Sequence, residues 1–208
     1  MAEYETEEER AEAVKAWLRR NGGPILAGIV LGLALLFGWR WYQGHRQHQA
    51  EQASVRYEQL QNDLQNGKLS QARHLGEMLT SNYGGTPYAS LGALAVAKAD
   101  VDSGNLTGAE SELRWVLKNG SPKALIPVAN MRLARVLMAD KKYESALKLV
   151  GKAPSKAYRP LFAEIRGDIE AAAGHDRRAR KDYQQALQAG NDDPLLQMKL
   201  NDLGGAGS

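Results

Sequence analysis

Between Arg20 and Arg40 the chain carries 19 consecutive uncharged residues, and no later segment resembles this one. A helix of that length rises about 28 Å at ~1.5 Å per residue, which is close to the ~30 Å hydrocarbon core of a bilayer. Trp39, Trp41 and Tyr42 lie at its far end, where amphipathic rings favour the headgroup layer. The sequence therefore predicts one transmembrane helix over residues 21–43.

Three other interpretations of this apolar segment are a buried core helix, a cleaved secretory signal and a re-entrant segment. Core helices usually have runs of about 10–14 apolar residues. A signal has a short basic region ahead of it and small residues at its cleavage site. Here the twenty preceding residues are rich in glutamate, and the segment ends in Trp-Arg-Trp-Tyr. These features favour an uncleaved anchor.

The basic residues beside the anchor predict its orientation. Lys15, Arg19 and Arg20 precede the apolar segment, whereas Arg40 and Arg46 follow it. The side with more Lys and Arg tends to remain in the cytoplasm, and long domains cross the membrane largely regardless of their charge. Residues 1–20 are therefore expected to form a cytoplasmic acidic tail, with the C-terminal domain on the other side.

The composition of residues 45–208 is that of one polar domain, long enough to have its own core. After the 5 basic and 6 acidic residues of the first 44 positions are set aside, 22 basic and 18 acidic residues remain. Because both signs are interspersed, nucleic-acid binding is not expected. The chain has no cysteine, and it lacks Walker, GxGxxG, GxSxG and HExxH motifs. No catalytic residue, metal site or cofactor is predicted.

Residues 45–208 also contain an internal repeat. Matching stretches surround Ala72, Ala109, Ala146 and Ala179, at spacings of 37, 37 and 33 residues. Twelve residues before them stand Leu60, Ala97, Ala134 and Gly167, and a turn segment lies between. This pattern resembles the tetratricopeptide repeat, in which small residues let two antiparallel helices approach closely. We therefore predict an all-α fold with an N-terminal transmembrane helix and a tetratricopeptide-like helical-hairpin solenoid, the alternative being a plain helical bundle.

The repeat pattern predicts both packing positions and domain boundaries. Neighbouring helices are expected to nearly touch at Ala97, Ala109, Ala134, Ala146, Gly167 and Ala179. The first repeat is degenerate, with Gly76 where a large residue should pack. Residues 44–66 are predicted to form a stalk helix that merges into the first repeat, because apolar residues recur there at helical spacing. The repeats are expected over residues 67–203, followed by a flexible tail at residues 204–208.

Two surfaces are candidates for binding. In the membrane helix, Gly28, Gly32, Ala34 and Gly38 have a small-xxx-small spacing that allows another helix to approach closely, the alternative being a plain anchor. The concave face of the repeats, lined by the first helix of each unit, suits extended or helical polypeptide. Its predicted residues are Leu91, Leu94, Lys98, Val101, Met131, Arg135, Met138, Glu164 and Asp168. The alternative is that several of these side chains pack between repeats.

The complete layout resembles a known family over nearly its full length. The acidic start MAEYETEEERAEAVKAWLRRNG, an anchor ending in GWRWYQ, a stalk, and repeats containing RLARVL and RGDI are similar to the YfgM-like ancillary subunits of the bacterial Sec translocon. The resemblance implies a single-pass protein of the Gram-negative inner membrane, with a cytoplasmic N-terminus and periplasmic repeats. It also implies a non-enzymatic role, in which exported polypeptides at the channel are passed to a membrane-anchored periplasmic chaperone of the prolyl-isomerase type.

A regulatory adaptor is the alternative function. Family resemblance connects the cytoplasmic tail to the control of envelope-stress signalling. In this interpretation the acidic residues 1–12 bind a cytoplasmic response regulator, and the repeats sense folding stress outside the membrane. The sequence alone leaves this alternative open, because both functions need the same anchor and the same repeats.

Overall fold

The computed structural model describes residues 7–190 and 193–205, which form nine α-helices and contain no strand. The helices are α1 (Glu7–Gln65), α2 (Leu69–Asn82), α3 (Pro87–Asp102), α4 (Leu106–Asn119), α5 (Ile126–Ala139), α6 (Tyr143–Val150), α7 (Arg159–Ala172), α8 (Asp176–Gln188) and α9 (Pro194–Gly205). Short 3₁₀ turns over Lys123–Leu125 and Lys156–Tyr158 precede α5 and α7. The predicted all-α fold is confirmed.

The chain divides into two compact units, Met1–His48 and Gln49–Ser208, and α1 contributes to both. In the first unit the apolar side chains of α1 are exposed, for example Leu35 at 67%, Phe37 at 69% and Trp41 at 73%. The part of α1 from Leu26 to Gln65 contains a stretch long and apolar enough to cross a membrane, by length and composition.

The second unit is a series of helices that pack in chain order. Contacts run from α2 with α3 through to α8 with α9, and α5 also packs on α7. The C-terminal end of α1 joins this series, because Ala53 and Leu60 are buried in one cluster with Ala72 and Leu79 of α2. The helices therefore form four hairpin units (the end of α1 with α2, α3 with α4, α5 with α6, α7 with α8), followed by α9.

The turn inside each hairpin has the same backbone geometry. Gly67, Gly104, Lys141 and Gly174 adopt the left-handed conformation, with φ of +71°, +79°, +58° and +77°. The next residue of each turn (Lys68, Asn105, Lys142 and His175) donates its N–H to the carbonyl five positions back, at 2.8 Å. This is the Schellman arrangement, which satisfies the last carbonyls of a helix. The left-handed residues have the same 37, 37 and 33 spacing as the repeat alanines.

Lys141 is the exception among these turn residues, since a side chain in the left-handed conformation is strained by about 1–2 kcal/mol. Glycine removes that strain but increases the entropy of the unfolded chain. We expect Lys141→Gly to stabilise the protein by about 0.5 kcal/mol. Gly174→Ala should destabilise it by about 1 kcal/mol. Chemical unfolding of the full-length protein in detergent measures the stability of both variants. A Lys141→Gly variant that is less stable than the parent would contradict the assigned strain.

Each hairpin has one pair of buried positions, one on each helix, in which a smaller residue is matched with a larger one. The pairs are Leu60 with Gly76, Ala97 with Leu113, Ala134 with Val150, and Gly167 with Tyr183. A Cβ added at Gly167 would lie 2.5 Å from the Tyr183 ring, and one added at Gly76 would lie 2.8 Å from Val96 and 3.9 Å from Leu60. In the last unit the large Tyr183 therefore requires a small residue opposite it, whereas in the first unit Gly76 is limited mainly by Val96 of α3.

The structure locates the other predicted packing positions and boundaries. Ala97, Ala109, Ala134, Ala146, Gly167 and Ala179 are all buried. Residues 44–65 of the predicted stalk lie within α1, which ends at Gln65, and Asn66 begins the following turn. Residues 204 and 205, expected in a flexible tail, belong to α9 instead. Residues 206–208 of that tail and residues 1–6 of the predicted cytoplasmic tail lie outside the described residues.

Candidate functional site

A groove of about 550 Å³, here called the central groove, runs between the end of α1, α3 and α5. Its walls are mainly apolar, with three charged side chains, Lys98, Asp102 and Arg132. The lining residues are Tyr57, Gln61, Leu64, Gln65, Leu91, Leu94, Ala95, Lys98, Ala99, Asp102, Leu125, Val128 and Arg132. Such a surface combines apolar contact with a few polar groups that can orient a ligand.

The charges of the central groove are only partly neutralised within the chain. Lys98 Nζ donates to Asp102 Oδ2 at 2.6 Å, one turn along α3. Arg132 donates to the carbonyl oxygen of Leu94 at 3.3 Å, which joins α5 to α3. Within residues 7–190 and 193–205 no carboxylate pairs with Arg132 or with Arg135 one turn later. The groove therefore has an excess of positive charge.

A second cavity of about 300 Å³ adjoins the central groove, where the end of α3 meets the start of α4 and the end of α5. We call it the basic-rimmed cavity. Its lining residues are Ala97, Lys98, Val101, Leu106, Leu113, Arg132, Arg135, Val136 and Ala139. Lys98 and Arg132 line both spaces, so the cavity and the groove share one positively charged border.

The structure separates the residues that the sequence placed on one binding face. Leu91, Leu94 and Lys98 line the central groove, whereas Val101 and Arg135 line the basic-rimmed cavity. Met131 and Met138 line neither of these two spaces. Both pack against the largest core cluster, because their side of α5 faces the neighbouring helices.

Glu164 and Asp168, the two predicted groove residues on α7, are bound by a helix that follows the repeats. Lys199 of α9 lies 2.9 Å from Glu164 Oε1 and 2.7 Å from Asp168 Oδ1. Tyr183 donates its hydroxyl to Asp168 at 2.9 Å. Desolvation lowers the pKa of Lys199, but its hydrogen bonds to Asp168 and Glu164 outweigh that effect and raise the pKa. These carboxylates therefore hold α9 in place.

The small residues of the membrane helix form two separate patches. Apart from the adjacent backbone of α1, no atom of the described residues lies within 4 Å of a Cβ added at Gly28, Gly32 or Gly38, and Ala34 is exposed. Gly28 and Gly32 share one side of α1. At 3.6 residues per turn, Ala34 and Gly38 share another side, rotated by about 120°. Each patch has space for the backbone of a partner helix.

Sequence reasoning missed Tyr57, Val128 and Arg132 of the central groove. The signal for Val128 was present, because it follows Leu91 by 37 residues and so occupies the same repeat position. Leu161 occupies this position in the last unit and is 41% exposed. Positions equivalent to Leu91 are therefore at least partly exposed on α3, α5 and α7.

Glu112 is a partly buried carboxylate on α4, away from both cavities. Burial, together with the negative charges of Asp100 and Glu77, raises the pKa of Glu112 to about 7. The folded protein thus binds a proton at this site that the unfolded chain releases above its ordinary pKa of 4.5. The contribution of Glu112 to the free energy of unfolding is therefore fully present below pH 4.5 and is lost as the pH rises from 4.5 towards 7.

We expect Glu112→Gln to stabilise the full-length protein at pH 8 by about 1–2 kcal/mol, because an amide cannot ionise in this setting. At pH 4.5 or below the variant and the parent should unfold alike. Thermal melting at the two pH values measures the difference. Glu144→Gln, at an exposed position of α6, is the control, and an equal gain at both pH values would contradict the electrostatic cause.

The part of the chain that the structure describes contains no group of three His, Cys, Asp or Glu side chains that could hold a metal ion. Two adjoining spaces with apolar walls and a positive border lie on a framework of paired helices. This architecture defines a tetratricopeptide repeat-like protein. The family profile described as the tetratricopeptide repeat-like domain matches residues 15–205.

Three relatives match along nearly their whole length, and each is called an ancillary SecYEG translocon subunit. The protein of Haemophilus influenzae is 28% identical over 199 residues, which cover 95% of this chain and 97% of that protein. The Escherichia coli protein is 29% identical over 203 residues, with coverage of 96% and 98%. That of Aggregatibacter actinomycetemcomitans is 30% identical over 199 residues, with coverage of 95% and 97%. The chain therefore belongs to the tetratricopeptide repeat-like family of ancillary SecYEG translocon subunits, which confirms the resemblance seen in the sequence.

Proposed function

We propose that the protein is a non-enzymatic ancillary subunit of the Sec translocon, anchored in the bacterial inner membrane by residues 21–43. The observation that carries this proposal is the full-length similarity to relatives that are called ancillary SecYEG translocon subunits. It is supported by the exposed apolar side chains of α1, which a bilayer would cover. The basic residues ahead of the anchor favour a cytoplasmic N-terminus.

In this proposal the repeats lie in the periplasm and link exported polypeptides at the channel exit to a membrane-anchored prolyl-isomerase-type chaperone. The central groove supports it, since apolar walls with few charges suit unfolded segments of varied sequence. Anchoring beside the channel raises the effective concentration of the groove for an emerging chain, so a weak interaction suffices.

Site-specific crosslinking in membranes tests the proposal. A photoreactive residue in place of Val128, in the central groove, should crosslink to an exported chain arrested in the channel. The same residue in place of Leu31, exposed on α1, should crosslink to a channel subunit. Lys118, which lines neither cavity, is the control position. Crosslinks to the arrested chain that are as strong from position 118 as from position 128 would contradict groove binding.

The membrane contact yields a separate prediction. We propose that Gly28 and Gly32 face a helix of the channel. Gly28→Ile with Gly32→Ile should then block close approach and reduce co-purification of the channel from detergent extracts by about tenfold. Ala34→Ile with Gly38→Ile, on the other side of α1, is the matched control. If both double variants co-purify as much channel as the parent does, α1 acts as a plain anchor.

The regulatory adaptor is the second candidate, and the acidic composition ahead of the anchor is the observation that favours it. Deletion of residues 1–12 distinguishes the two functions. The proposed linking function predicts unchanged crosslinking from position 128 in the deletion variant. The adaptor is favoured instead by two results together: the full-length protein gives no crosslinks from position 128 to exported chains, and deletion of residues 1–12 abolishes envelope-stress control.

A further inference from the structure

We infer that the basic-rimmed cavity takes an apolar side chain from a polypeptide segment in which that side chain is flanked by Asp or Glu. The inference rests on the proposed function and names the kind of segment that the repeats select. It follows from three observations: the apolar floor of the cavity, the charge on its rim, and the way the last repeat binds α9.

The floor of the cavity is formed by core side chains. Leu113 is 1% exposed, Ala97 2% and Val136 5%, and all three belong to the largest core cluster. Val101 stands at the mouth and is 41% exposed. A volume of about 300 Å³ is at the small end for ligand pockets, ~300–1,000 Å³. It suits one or two apolar side chains, and their burial removes apolar surface from water.

The rim carries Lys98, Arg132 and Arg135, all exposed. Lys98 is satisfied by Asp102 at 2.6 Å. Among the described residues, Arg132 donates only to the carbonyl of Leu94. Neither arginine is paired with a carboxylate in the described ranges, 7–190 and 193–205. Guanidinium groups bind carboxylates through paired, charge-assisted hydrogen bonds. An acidic residue next to the apolar side chain in the cavity would therefore supply a carboxylate partner for the arginines of the rim.

The last repeat shows the same kind of contact with the signs reversed. Asp168 occupies the repeat position of Lys98 and Arg135, 33 residues after Arg135. It binds Lys199 of α9 at 2.7 Å, while Leu196 of the same helix is fully buried. In that contact one segment brings an apolar side chain and an opposite charge three residues away. For the basic-rimmed cavity we expect a segment of the same kind, with a buried apolar side chain and a nearby acidic residue in place of the lysine.

Fluorescence anisotropy with full-length protein in detergent tests the inference. The probe is a short fluorescein-labelled peptide with Leu and Phe at its centre and Asp and Glu on both sides. A second peptide has Asn and Gln in place of the acids. We expect the acidic peptide to bind about tenfold more tightly, with a preference that decreases as salt is raised.

Two variants and their controls assign the binding to the cavity. Arg135→Glu should lower the affinity for the acidic peptide about tenfold and leave the affinity for the amide peptide unchanged. Lys118→Glu, the same charge change away from the cavity, should affect neither. Val101→Phe, at the exposed mouth, should occupy the space and weaken both peptides. Val55→Phe, at a residue 53% exposed on α1, is its control.

Each remaining outcome bears on one of the two proposals. Equal binding of the two peptides, or equal loss with Arg135→Glu and Lys118→Glu, would overturn the inference while leaving general capture of polypeptide intact. A fluorescent fatty acid that binds the cavity and is not displaced by the acidic peptide would also overturn it, in favour of an acyl ligand. If neither peptide binds and position 128 gives no crosslinks, the proposed function itself fails.

Discussion

Gly167→Leu is expected to destabilise the protein by about 3 kcal/mol, the upper end of the usual cost of overpacking. The first carbon of any side chain at this position would meet the Tyr183 ring at 2.5 Å. Both residues are buried, so the ring cannot move into solvent without separating α7 from α8. Urea unfolding of the full-length protein in detergent measures the loss. Gly44→Leu is the control, because nothing lies within 4 Å of a Cβ there.

A double-mutant cycle shows whether size compensation is the cause. Tyr183→Ala alone should cost about 3–5 kcal/mol, through the cavity that it leaves. In Gly167→Leu with Tyr183→Ala, the large residue moves to the first helix, as with Leu60 and Gly76 in the first unit. The double variant should be about 2 kcal/mol more stable than the sum of the single changes. Additive losses would show that the two positions do not share one space.

Removal of the Lys199 charge is the second change with a large expected effect. Lys199→Met should cost about 3 kcal/mol, because it leaves two carboxylates of α7 without the ammonium group that compensates them. Their side chains are 11% and 17% exposed, and that of Lys199 is 25% exposed. Methionine keeps an apolar stem over the Tyr183 ring, so that the variant tests mainly the charge.

Matched variants separate this network from ordinary surface ion pairs. Lys98→Met breaks a contact whose partners are 71% and 61% exposed, and it should cost at most about 0.5 kcal/mol. Lys199→Met combined with Glu164→Gln and Asp168→Asn should recover part of the loss, since amides need no counter-charge. Thermal melting and urea unfolding provide the measurement. A Lys199→Met variant that melts like its parent would show that α9 is held by apolar contacts such as that of Leu196 alone.

The repeat architecture could be predicted because its signals are local. The small buried residues and the left-handed turn residues recur at one spacing, and each acts within its own hairpin. Lys141 shows that the spacing carries the information even where the residue type changes, since it keeps a φ of +58° in place of glycine. The degeneracy of the first unit also has a local explanation, because a Cβ at position 76 would already meet the Val96 side chain of α3 at 2.8 Å, which leaves no room for a large residue.

The binding surface was harder to predict because it depends on how consecutive units are rotated. The position of Leu91 and Val128 faces the central groove, but Met131, three residues after Val128, packs on the core. The two positions differ by only about 60° around the helix axis, and repeat spacing alone does not show which of them faces the groove and which faces the core. The environment of Glu164 and Asp168 depends on α9, a helix outside the repeat pattern, whose Lys199 forms an ion pair with each of them.

The compensating sizes within the hairpins also specify which helices can associate during folding. Exchange of partners between the first and last units would set Leu60 against Tyr183, with too little room, and Gly167 against Gly76, with an empty space. Each helix thus fits its own neighbour better than the corresponding helix of another unit. An array of similar hairpins is open to register errors and to exchange of segments between chains. The different side-chain sizes of the four pairs disfavour both errors. The sequence therefore specifies the order of the four units as well as the fold of each one.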